Sequence, residues 1–454
     1  MDSTLDCLST WMPQQRWYAA KGRTPALRLV GSWDLLSPDP AARVRTLLVA
    51  DEASTPAVLY QVPVVERSTP TVADDAIGVI GSPESGVTLI DGPTDPAYTA
   101  GLLGLVSSGG RAGSGETVAT GRPAASAPST NDDHASRVLS GEQSNTSIIY
   151  TSATGGAPVI CKVFRQLHPG LNPDIELQTA LADAGSPFVP RAVGSLGGTW
   201  AGAGGPVEGS LAFAQEFLPG VEDAWRVALA AAEADEDFTD RARDLGVATA
   251  TVHADLARLF PTTGPGDAER AAAAASWRMR LETAIAEVPE LAPFREEILG
   301  VYGRATEGAW PALQRIHGDY HLGQVILVPD HGWVLLDFEG EPLRPMSERT
   351  QPDLALRDVA GMLRSFDYVA GSIRLAQPDR PADEVDAWAA DARRAFLAGY
   401  AQAAEDPART QALLDALEID KAVYEAIYEA RNRPSWLPIP LGAVGRLVDG
   451  PTSR

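Results

Sequence analysis

The pattern of apolar residues in this 454-residue chain changes near Gly220, and the change limits the folds it can adopt. Before that point, short apolar runs separated by Pro, Gly, Ser and Asp predict strands, as in ALRLVGSWDLL, RTLLVADE and AVLYQVPVV. After it, longer segments such as DRARDLGVATATVHADLARLF and ERAAAAASWRMRLETAIAEV indicate helices. A β-rich first part followed by a helical second part predicts an α+β fold.

Four segments follow from this pattern. Residues 1–105 are predicted to form a β-rich module, and the Gly-, Ser-, Ala- and Pro-rich residues 106–136 a flexible linker or surface loop. Residues 137–218 contain a predicted hairpin, TSIIYTS and APVICKVF, then a helix, PDIELQTALADAG, and a strand, SLAFAQEFLP. Residues 219–454 are predicted to form a helical lobe.

The charge and the two cysteines exclude several classes of protein. A formal net charge of −23 disfavours nucleic acids and anionic membrane surfaces as partners, because both require clustered Lys and Arg. Cys7 and Cys161 are too few for a disulfide framework or a zinc cluster. The N-terminus lacks a signal-peptide pattern, and no apolar run of about 18 residues predicts a membrane span. We expect a cytoplasmic monomer or weak homodimer that acts on a small molecule.

The stretch HGDYHLGQ, followed by the apolar run WVLLDFE, indicates the chemistry. Asp319 and Gln324 lie five residues apart in the first stretch, and Asp337 ends the predicted strand in the second. Phosphoryl transfer needs a carboxylate at the attacking hydroxyl and oxygen ligands for Mg²⁺ beside the nucleotide phosphates. It also needs a strand lysine anchored by a helical glutamate, and VICKVF and PDIEL provide Lys162 and Glu176. These residues, in this order, predict an ATP-dependent kinase.

Other polar residues near these motifs have two interpretations each. We expect His317 to orient the loop through a hydrogen bond to the backbone rather than to bind a metal ion. His321 either contacts the substrate or serves the loop. Glu339 and Glu341 either support the site or contact the substrate, or are surface charges. Arg357 and Asp358 are expected to form a buried ion pair beneath the loop.

The motifs HGDYHLGQ, LLDFEGEP, CKVF and NPDIEL resemble those of the aminoglycoside-phosphotransferase-like kinases. Within that superfamily, QQRWYAAKGR, EQSNTSIIY and YEARNRPSWLPIPL are similar to the maltokinase-like sugar kinases, a subgroup that includes glucosamine kinases. The resemblance covers nearly the whole chain. It implies a bilobal, protein-kinase-like fold with an extra N-terminal cap domain formed by residues 1–105.

The resemblance also implies a role for each motif residue. Asp319 is the expected catalytic base, and Asp337 and Gln324 are expected Mg²⁺ ligands, with Glu339 as a further one. Gln324 stands where the wider family usually has Asn. Lys162 is expected to hold the α- and β-phosphates of ATP, with Glu176 as its ion-pair partner. The other expected ATP contacts are Ser144, Asn145 and Thr146 in a segment that covers the phosphates, and Gln215, Glu216, Phe217 and Leu218 beside the adenine.

Two acceptors fit the subgroup: glucosamine, phosphorylated at O6, and maltose, phosphorylated at its anomeric hydroxyl. The maltokinases of trehalose metabolism usually carry Ser-Pro directly before LRDVAG, where this chain has Leu354 and Ala355. This departure favours glucosamine. A non-catalytic, kinase-like binding protein is a further alternative, but such proteins often lose the base or a metal ligand and this chain keeps both. Antibiotic phosphorylation is disfavoured by the cap and by the C-terminal motif.

The helix YEAIYEARNRPSW offers groups that suit an amino sugar. Such a sugar is a cation near neutral pH and should meet a carboxylate. Glu425 and Glu429 are spaced i and i+4, so they lie on one face and are expected to bind the sugar together with Arg433. Trp436 offers a face on which a sugar ring can stack. In the other interpretation, the two glutamates form surface ion pairs with Arg431 or Arg433.

Overall fold

The described residues divide at Gly220, where a mainly β-structured part of the chain gives way to a mainly helical one. The computed structural model describes residues 2–69, 77–127, 134–139, 144–152, 154–202, 204–341 and 344–448. They form two units, which are Met1–Gly185 with Pro190–Pro219, and Ser186–Val189 with Gly220–Arg454.

The first unit is built mainly from strands. Its elements in chain order are α1 (Asp2–Trp11), β1 (Leu27–Leu35), β2 (Arg43–Asp51), β3 (Val58–Ser68), β4 (Val79–Glu84), β5 (Val87–Asp91), α2 (Pro96–Ser108), β6 (Arg111–Ser114), β7 (Thr117–Pro123), β8 (His134–Val138), β9 (Asn145–Ser152), β10 (Val159–Phe164), β11 (Gln166–Leu167), α3 (Pro173–Asp183), β12 (Ala192–Gly202) and β13 (Gly205–Glu216).

The N-terminal part of this unit is a sheet with the strand order β1-β2-β3-β5-β4, to which β11 adds by pairing with β3. The strands predicted from the three apolar runs are confirmed as β1, β2 and β3. One face of the sheet buries an aromatic cluster of Trp11, Trp17, Tyr18 and Tyr60. The Tyr18 hydroxyl donates to Asp51 across 2.6 Å, which satisfies the one polar group that this ring brings into the core.

A second sheet follows, with the strand order β6-β7-β12-β13-β10-β9-β8. The predicted hairpin is confirmed, because β9 and β10 pair antiparallel and place Lys162 opposite Ser147. The predicted helix is also confirmed as α3, which begins at Pro173. The Asn172 side chain caps this helix by accepting a hydrogen bond from the Asp174 amide at 2.8 Å.

The prediction of a flexible linker over residues 106–136 is wrong for the strands β6 and β7. Residues 128–133 of that segment lie outside the described residues. The small residues of β7 are there because helix α2 packs closely against the strand. A Cβ atom at Gly121 would lie 1.9 Å from the carbonyl oxygen of Leu105 in α2. The Gly-rich composition therefore reflects tight packing at this point.

The second unit is mainly helical. Its elements in chain order are β14 (Glu222–Asp223), α4 (Ala224–Glu233), α5 (Thr239–Leu259), α6 (Asp267–Glu287), α7 (Arg295–Glu307), β15 (Val325–Val328), β16 (Gly332–Leu335), α8 (Met346–Arg349), α9 (Leu356–Ala376), α10 (Ala382–Ala403), α11 (Gln411–Asn432) and α12 (Pro438–Val448).

Two glycines allow helices α5 and α10 to pack backbone against backbone. A Cβ atom at Gly246 would lie 2.1 Å from the Phe396 carbonyl oxygen, and one at Gly399 would lie 2.0 Å from the Arg243 carbonyl oxygen. Any larger residue at either position would force the helices apart. Helix α9 is buried along most of its length, so it forms the centre of this unit.

The strands β14, β15 and β16 form a small antiparallel sheet, and the predicted strand WVLL corresponds to β16. Among the described residues, no helix combines the length and the apolarity needed to cross a bilayer.

A fully buried arginine connects the two sheets of the first unit. Both Asp91 carboxylate oxygens accept from Arg165 Nη2, at 2.9 and 2.7 Å, and Thr146 Oγ1 accepts from its Nε at 2.9 Å. The guanidinium carbon also lies 5.0 Å from the Trp17 ring centre. Because Asp91 ends a strand of the first sheet and Thr146 lies in the second, the two sheets share one buried charge.

We predict that Asp91→Asn lowers the free energy of unfolding by about 3–5 kcal/mol, because it leaves the Arg165 charge buried without its counter-ion. Urea denaturation measures this change. The matched control is Asp34→Asn, whose carboxylate pairs with Arg43 at 3.1 Å on the exposed surface. Its expected cost is below about 1 kcal/mol. Equal effects of the two substitutions would contradict the assigned importance of Arg165.

Candidate active site

The loop that contains Asp319 is held in place by one buried carboxylate from helix α9. Asp358 accepts the backbone N–H of His317 at 2.8 Å and that of Gly318 at 2.9 Å, and it lies 3.0 Å from His253 Nε2. Burial alone would raise the pKa of Asp358, but the hydrogen bond and charge of His253 lower it below its usual value. The carboxylate is therefore ionised and fixes the backbone directly before Asp319.

The same helix supports the rest of the loop. A Cβ atom at Gly361 would lie 2.4 Å from the Tyr320 carbonyl oxygen, so only glycine permits this contact. One turn later, Ser365 Oγ accepts the Leu322 amide at 3.1 Å. The Tyr320 hydroxyl reaches Thr249 of helix α5 at 2.8 Å. Asp319 thus lies on a loop whose backbone and side chains are bound on both sides of it.

His317 has the predicted orienting role. Its Nε2 lies 2.8 Å from the Leu336 carbonyl oxygen, and its Nδ1 accepts the Asp319 amide at 3.4 Å. The predicted Arg357–Asp358 ion pair is wrong. Arg357 instead pairs with Asp353 at 3.2 Å and Asp420 at 3.7 Å, because Asp358 uses its oxygens on the loop.

A partly buried lysine from helix α11 reaches the predicted base. Lys421 Nζ lies 3.5 Å from Asp319 Oδ1 and 2.7 Å from Glu341 Oε1. Burial acts to lower the pKa of Lys421, but Glu341 and Asp319 together raise it above its usual value. Burial would likewise raise the pKa of Glu341, and Lys421 and Arg357 instead lower it to about 2. Lys421 is therefore a fixed cation beside Asp319.

The predicted metal ligands lie together in the second unit. Gln324 Nε2 donates to Asp337 Oδ2 at 3.2 Å, which directs the amide towards that carboxylate. One oxygen of Asp337 and one of Glu339 lie within 4.8 Å of each other. Asp337 also has a positive φ of 65°, a conformation that costs energy for a residue with a side chain and is concentrated at functional sites. This all-oxygen donor set fits a hard cation such as Mg²⁺.

His321 caps the short 3₁₀ turn of residues 322–324. Its Nδ1 accepts the Gly323 amide at 3.0 Å. Burial lowers the pKa of His321 despite the opposing effect of Asp319, so the ring is neutral near pH 7. This contact agrees with the interpretation in which His321 supports the loop. A contact of His321 with the substrate stays a prediction.

The predicted phosphate-binding lysine lies in the first unit. Lys162 Nζ pairs with Asp174 Oδ2 at 3.0 Å. Asp174 is in the first turn of α3 and is almost fully buried. The structure thus adds Asp174, which the sequence interpretation did not include. The assignment of Glu176, two residues further on, as an ion-pair partner of Lys162 stays a prediction.

The other predicted ATP contacts are also in the first unit. Asn145 and Thr146 begin β9 directly after Ser144, while residues 142 and 143 of the predicted phosphate-covering segment lie outside the described residues. Thr146 Oγ1 already accepts from the buried Arg165, which indicates a structural role for this hydroxyl.

The predicted adenine-binding residues follow or end strand β13. Gln215 Oε1 accepts from the Gln178 side chain, and Glu216 forms a bidentate pair with Arg191 at 3.0 and 3.1 Å. The Phe217 amide donates to the Pro158 carbonyl at 2.8 Å, so this amide is already used within the protein. Leu218 comes next in the chain. Contacts of these four residues with adenine stay predictions.

The predicted sugar-binding glutamates both pair with arginines, and Glu429 is buried while Glu425 is partly buried. Glu425 Oε2 accepts from Arg364 at 2.7 and 3.0 Å. Glu429 accepts from Arg433 through both oxygens, at 2.6 and 2.9 Å, and from the Tyr368 hydroxyl at 3.0 Å. The prediction that the two carboxylates form one cation site is wrong for Glu429, because a buried carboxylate needs counter-charges and both its oxygens have them.

Glu425 differs from Glu429 in one respect. Its Oε1 accepts no hydrogen bond from the described residues, and this side chain is 13% exposed. Trp436 stacks at 6.2 Å on Tyr368, and the Arg433 guanidinium carbon lies 4.5 Å from the Trp436 ring centre. Arg433 and Trp436 thus pack on one another, and their predicted contact with sugar stays a prediction.

Comparison with known proteins agrees with this arrangement. Residues 11–95 match the maltokinase N-terminal cap domain, and residues 136–413 match the phosphotransferase enzyme family, over more than half of the chain. The chain belongs to the phosphotransferase enzyme family. With its cap domain, it falls in the maltokinase-like group of sugar kinases that the sequence motifs indicate.

Two curated relatives are glucosamine kinases. The enzyme of Streptacidiphilus jiangxiensis is 33% identical over 289 residues, which is 60% of this chain and 64% of that protein. The chain thus spans slightly less than two thirds of that relative. The enzyme of Mycolicibacterium smegmatis is 30% identical over 356 residues, which is 70% of this chain and 80% of that protein.

Solved structures confirm the fold class. A glucosamine kinase solved in complex with glucosamine, ADP and inorganic phosphate has a TM-score of 0.67 at 24% identity, covering 97% of this chain and 98% of that one. A second crystal form of glucosamine kinase gives a TM-score of 0.69 over 98% of this chain. The predicted phosphotransferase fold with an N-terminal cap is therefore confirmed.

Three residues of this site have only weak signals in the sequence. Lys421 lies in the helical segment KAVYEAIYEARNR, where a lysine is usually on the surface. Asp174 looks like an ordinary acidic residue in the first turn of a helix. Glu341 follows Glu339 in a polar stretch and was open to a surface interpretation. The available signal for Asp174 and Glu341 is that they lie in the motifs NPDIEL and LLDFEGEP, whereas Lys421 lies outside the motifs of the resemblance.

We predict that Glu341 makes the stability of the protein depend on pH. Its pKa of about 2 is below the usual 4.5, so its contribution is fully present above pH 4.5 and is lost as the pH falls through 2. The difference corresponds to about 3 kcal/mol in the free energy of unfolding. Glu341→Gln should lower this free energy near neutral pH and flatten its acid dependence.

Urea denaturation at a series of pH values tests this prediction. The control is Glu348→Gln, which removes an exposed carboxylate from helix α8 and should leave the curve unchanged. If the free energy of unfolding of Glu341→Gln changes with pH in parallel with that of the unchanged protein, the ion pair of Glu341 with Lys421 does not stabilise the fold.

Proposed function

We propose that this protein transfers the γ-phosphoryl group of ATP to O6 of D-glucosamine, giving glucosamine 6-phosphate. The observation that supports phosphoryl transfer is the complete catalytic set on a fixed backbone. Asp319 lies on a loop bound by Asp358, and Gln324 contacts Asp337. A binding protein without activity would not need to keep both the base and the metal ligands.

In the proposed reaction, Asp319 orients the acceptor hydroxyl and accepts its proton as the phosphoryl group is transferred. Lys421 holds the orientation of Asp319 from one side. Lys162, positioned by Asp174, binds the α- and β-phosphates of ATP. Because phosphoryl transfer depends mainly on positioning and on charge neutralisation, the rigidity of the loop is itself part of catalysis.

Mg²⁺ is the proposed metal ion, and Asp337, Gln324 and Glu339 are the residues that would hold it. When bound, it neutralises charge on the phosphates. The fit rests on the oxygen-only donor set and on the proximity of the Asp337 and Glu339 carboxylates.

Glucosamine is favoured as acceptor because two curated relatives, matched over 60% and 70% of this chain, are glucosamine kinases. Maltose is the second candidate, and the observation that favours it is the match of residues 11–95 to the maltokinase cap. Leu354 and Ala355, which replace the Ser-Pro usual in maltokinases, support the first candidate.

Glu425 is the proposed partner of the sugar's ammonium group. It lies one helical turn beyond Lys421, so the two side chains project from the same face of α11. The Lys421 ammonium contacts Asp319, so Glu425 projects from the same helix face as the lysine beside the proposed base. Its Oε1 is open to a ligand, whereas the oxygens of Glu429 are already used.

The acceptor is tested by competition kinetics with glucosamine and maltose at equal concentration. We expect glucosamine to have the higher kcat/KM, and a higher value for maltose would overturn the choice. In the same assay, Glu425→Gln should raise the KM for glucosamine about tenfold but leave that for glucose, which lacks the ammonium group, nearly unchanged. Equal effects on the two sugars would reject Glu425 as the ammonium partner while leaving the acceptor assignment intact.

We predict that Asp319→Asn lowers kcat by about 10² to 10⁴, because it removes the general base. Its melting temperature and ATP affinity should stay close to those of the unchanged protein, since the loop is anchored through Asp358. The matched control is Asp330→Asn in the β15–β16 turn, where Asn also tolerates the positive φ of 60°. More than half of the original turnover in Asp319→Asn would refute the assignment of the base.

A further inference from the structure

The seven-stranded sheet of the first unit has a pocket of about 300 Å³ on one face, formed by β6, β7, β12 and β13 and by the segment that leads into α3. This volume is at the lower end of the range for small-molecule sites. The pocket uses none of the residues assigned above to ATP, metal or acceptor binding. Its lining residues include Arg111, Thr120, Arg122, Ser195, Thr199 and Glu208.

The strand register places two arginines together on this face. Arg111 of β6 is paired with Thr120 of β7, and Arg122 lies two residues after Thr120 in β7. Residues two apart on a strand point to the same face, so Arg111 and Arg122 are diagonal neighbours, about 7–8 Å apart at the backbone. Neither has an ion pair or hydrogen bond with another described residue, although the chain has a net charge of −23. Two adjacent arginines that form no ion pair can hold an anion between them.

The floor of the pocket beside these arginines is polar and open. Gly197 lies opposite Thr120, and a Cβ atom there would lie 3.6 Å from the Arg122 guanidinium carbon. The glycine therefore lets the Arg122 guanidinium lie close over the strand. Ser195 and Thr199 flank Gly197 on the same face and contribute hydroxyl groups, which suit a ligand rich in hydroxyls.

Three further features of the lining indicate which class of ligand the pocket can bind. Glu208 is an exposed carboxylate that can accept hydrogen bonds from hydroxyls of a ligand. Ile175 and Leu171 form an apolar wall that suits the C–H face of a sugar ring. Within the part of the chain that the structure describes, the lining contains no aromatic side chain on which a nucleotide base could stack.

We propose that this pocket binds a phosphorylated hexose, with its phosphate on Arg111 and Arg122 and its hydroxyls on Ser195, Thr199 and Glu208. Planar guanidinium groups match phosphate oxygens in pairs, which gives the site its preference for a phosphomonoester. The inference goes beyond the proposed function, because it uses a different surface and no catalytic residue.

The position of the pocket gives its occupant a route to the nucleotide-binding lysine. Ser210 lines the pocket, and its hydroxyl accepts the amide of Asn172 at 2.9 Å. Asn172 caps helix α3, whose first turn contains Asp174, the partner of Lys162. These contacts join the pocket to the first turn of α3. Because the ligand would bind the folded protein, its binding should raise the melting temperature.

The test is calorimetric titration of the full chain, without ATP, using glucose 6-phosphate, inorganic phosphate and glucose as separate probes. We expect glucose 6-phosphate to bind at least about tenfold more tightly than either of the other two. Arg111→Gln and Arg122→Gln should each weaken its binding about tenfold or more. The control is Arg28→Gln, which removes an exposed strand arginine that pairs with Glu52 at 2.6 Å and should leave binding unchanged.

Two results would overturn the proposal. One is an unchanged affinity for glucose 6-phosphate in both arginine variants, which would place its binding elsewhere. The other is equal affinity for inorganic phosphate, which would leave no role for the sugar. Both arginines are exposed and outside the catalytic set. The variants should therefore keep the melting temperature of the unchanged protein, and their turnover of glucosamine should stay within about twofold of its value. The turnover assay would therefore test the kinase assignment, and the calorimetric titration would separately test this binding site.

Discussion

The candidate active site depends on one buried carboxylate. Asp358 binds two consecutive backbone amides of the loop, those of His317 and Gly318, which lie 41 and 40 residues before it in the chain. The buried charge is stabilised because His253 and the two amides replace the hydrogen bonds of water. A second contact from the same helix lies one turn further along α9, where Gly361 leaves space for the carbonyl oxygen of Tyr320. The geometry of Asp319 is thus set by the helix beneath it.

Local patterns in the sequence predicted much of the fold. The strands β1, β2 and β3, the β9–β10 hairpin and the start of α3 at Pro173 follow from periodicity and from turn and cap residues, which act over a few positions. The motif HGDYHLGQ likewise indicated a kinase loop, because its polar residues lie within eight consecutive positions. The segment of β6 and β7 was mistaken for a linker, because small residues are common both in flexible chains and in tightly packed strands.

The partners of the charged groups could not be predicted in the same way. Lys421 is 102 residues from Asp319, and no local pattern relates positions so far apart. Asp174 and Glu176 lie on the same short helix, and spacing alone did not indicate that Asp174 pairs with Lys162. Glu425 and Glu429 share one helix face, as predicted, but the buried Arg364 of α9 and the exposed Arg433 decide which of their oxygens stay open. These choices depend on burial, which a single sequence does not display.

The shared arginine between the two sheets of the first unit has a consequence for protein engineering. Because Arg165 binds Asp91, and β11 adds to the N-terminal sheet only two residues after the end of β10, the cap is continuous with the strand that contains Lys162. A shortened chain that began after residue 95 would expose the edge of β11 and leave a buried guanidinium without its anion. The cap is therefore better treated as part of one folding unit than as a detachable module, and swapping caps between homologues requires the Asp91 position to be kept.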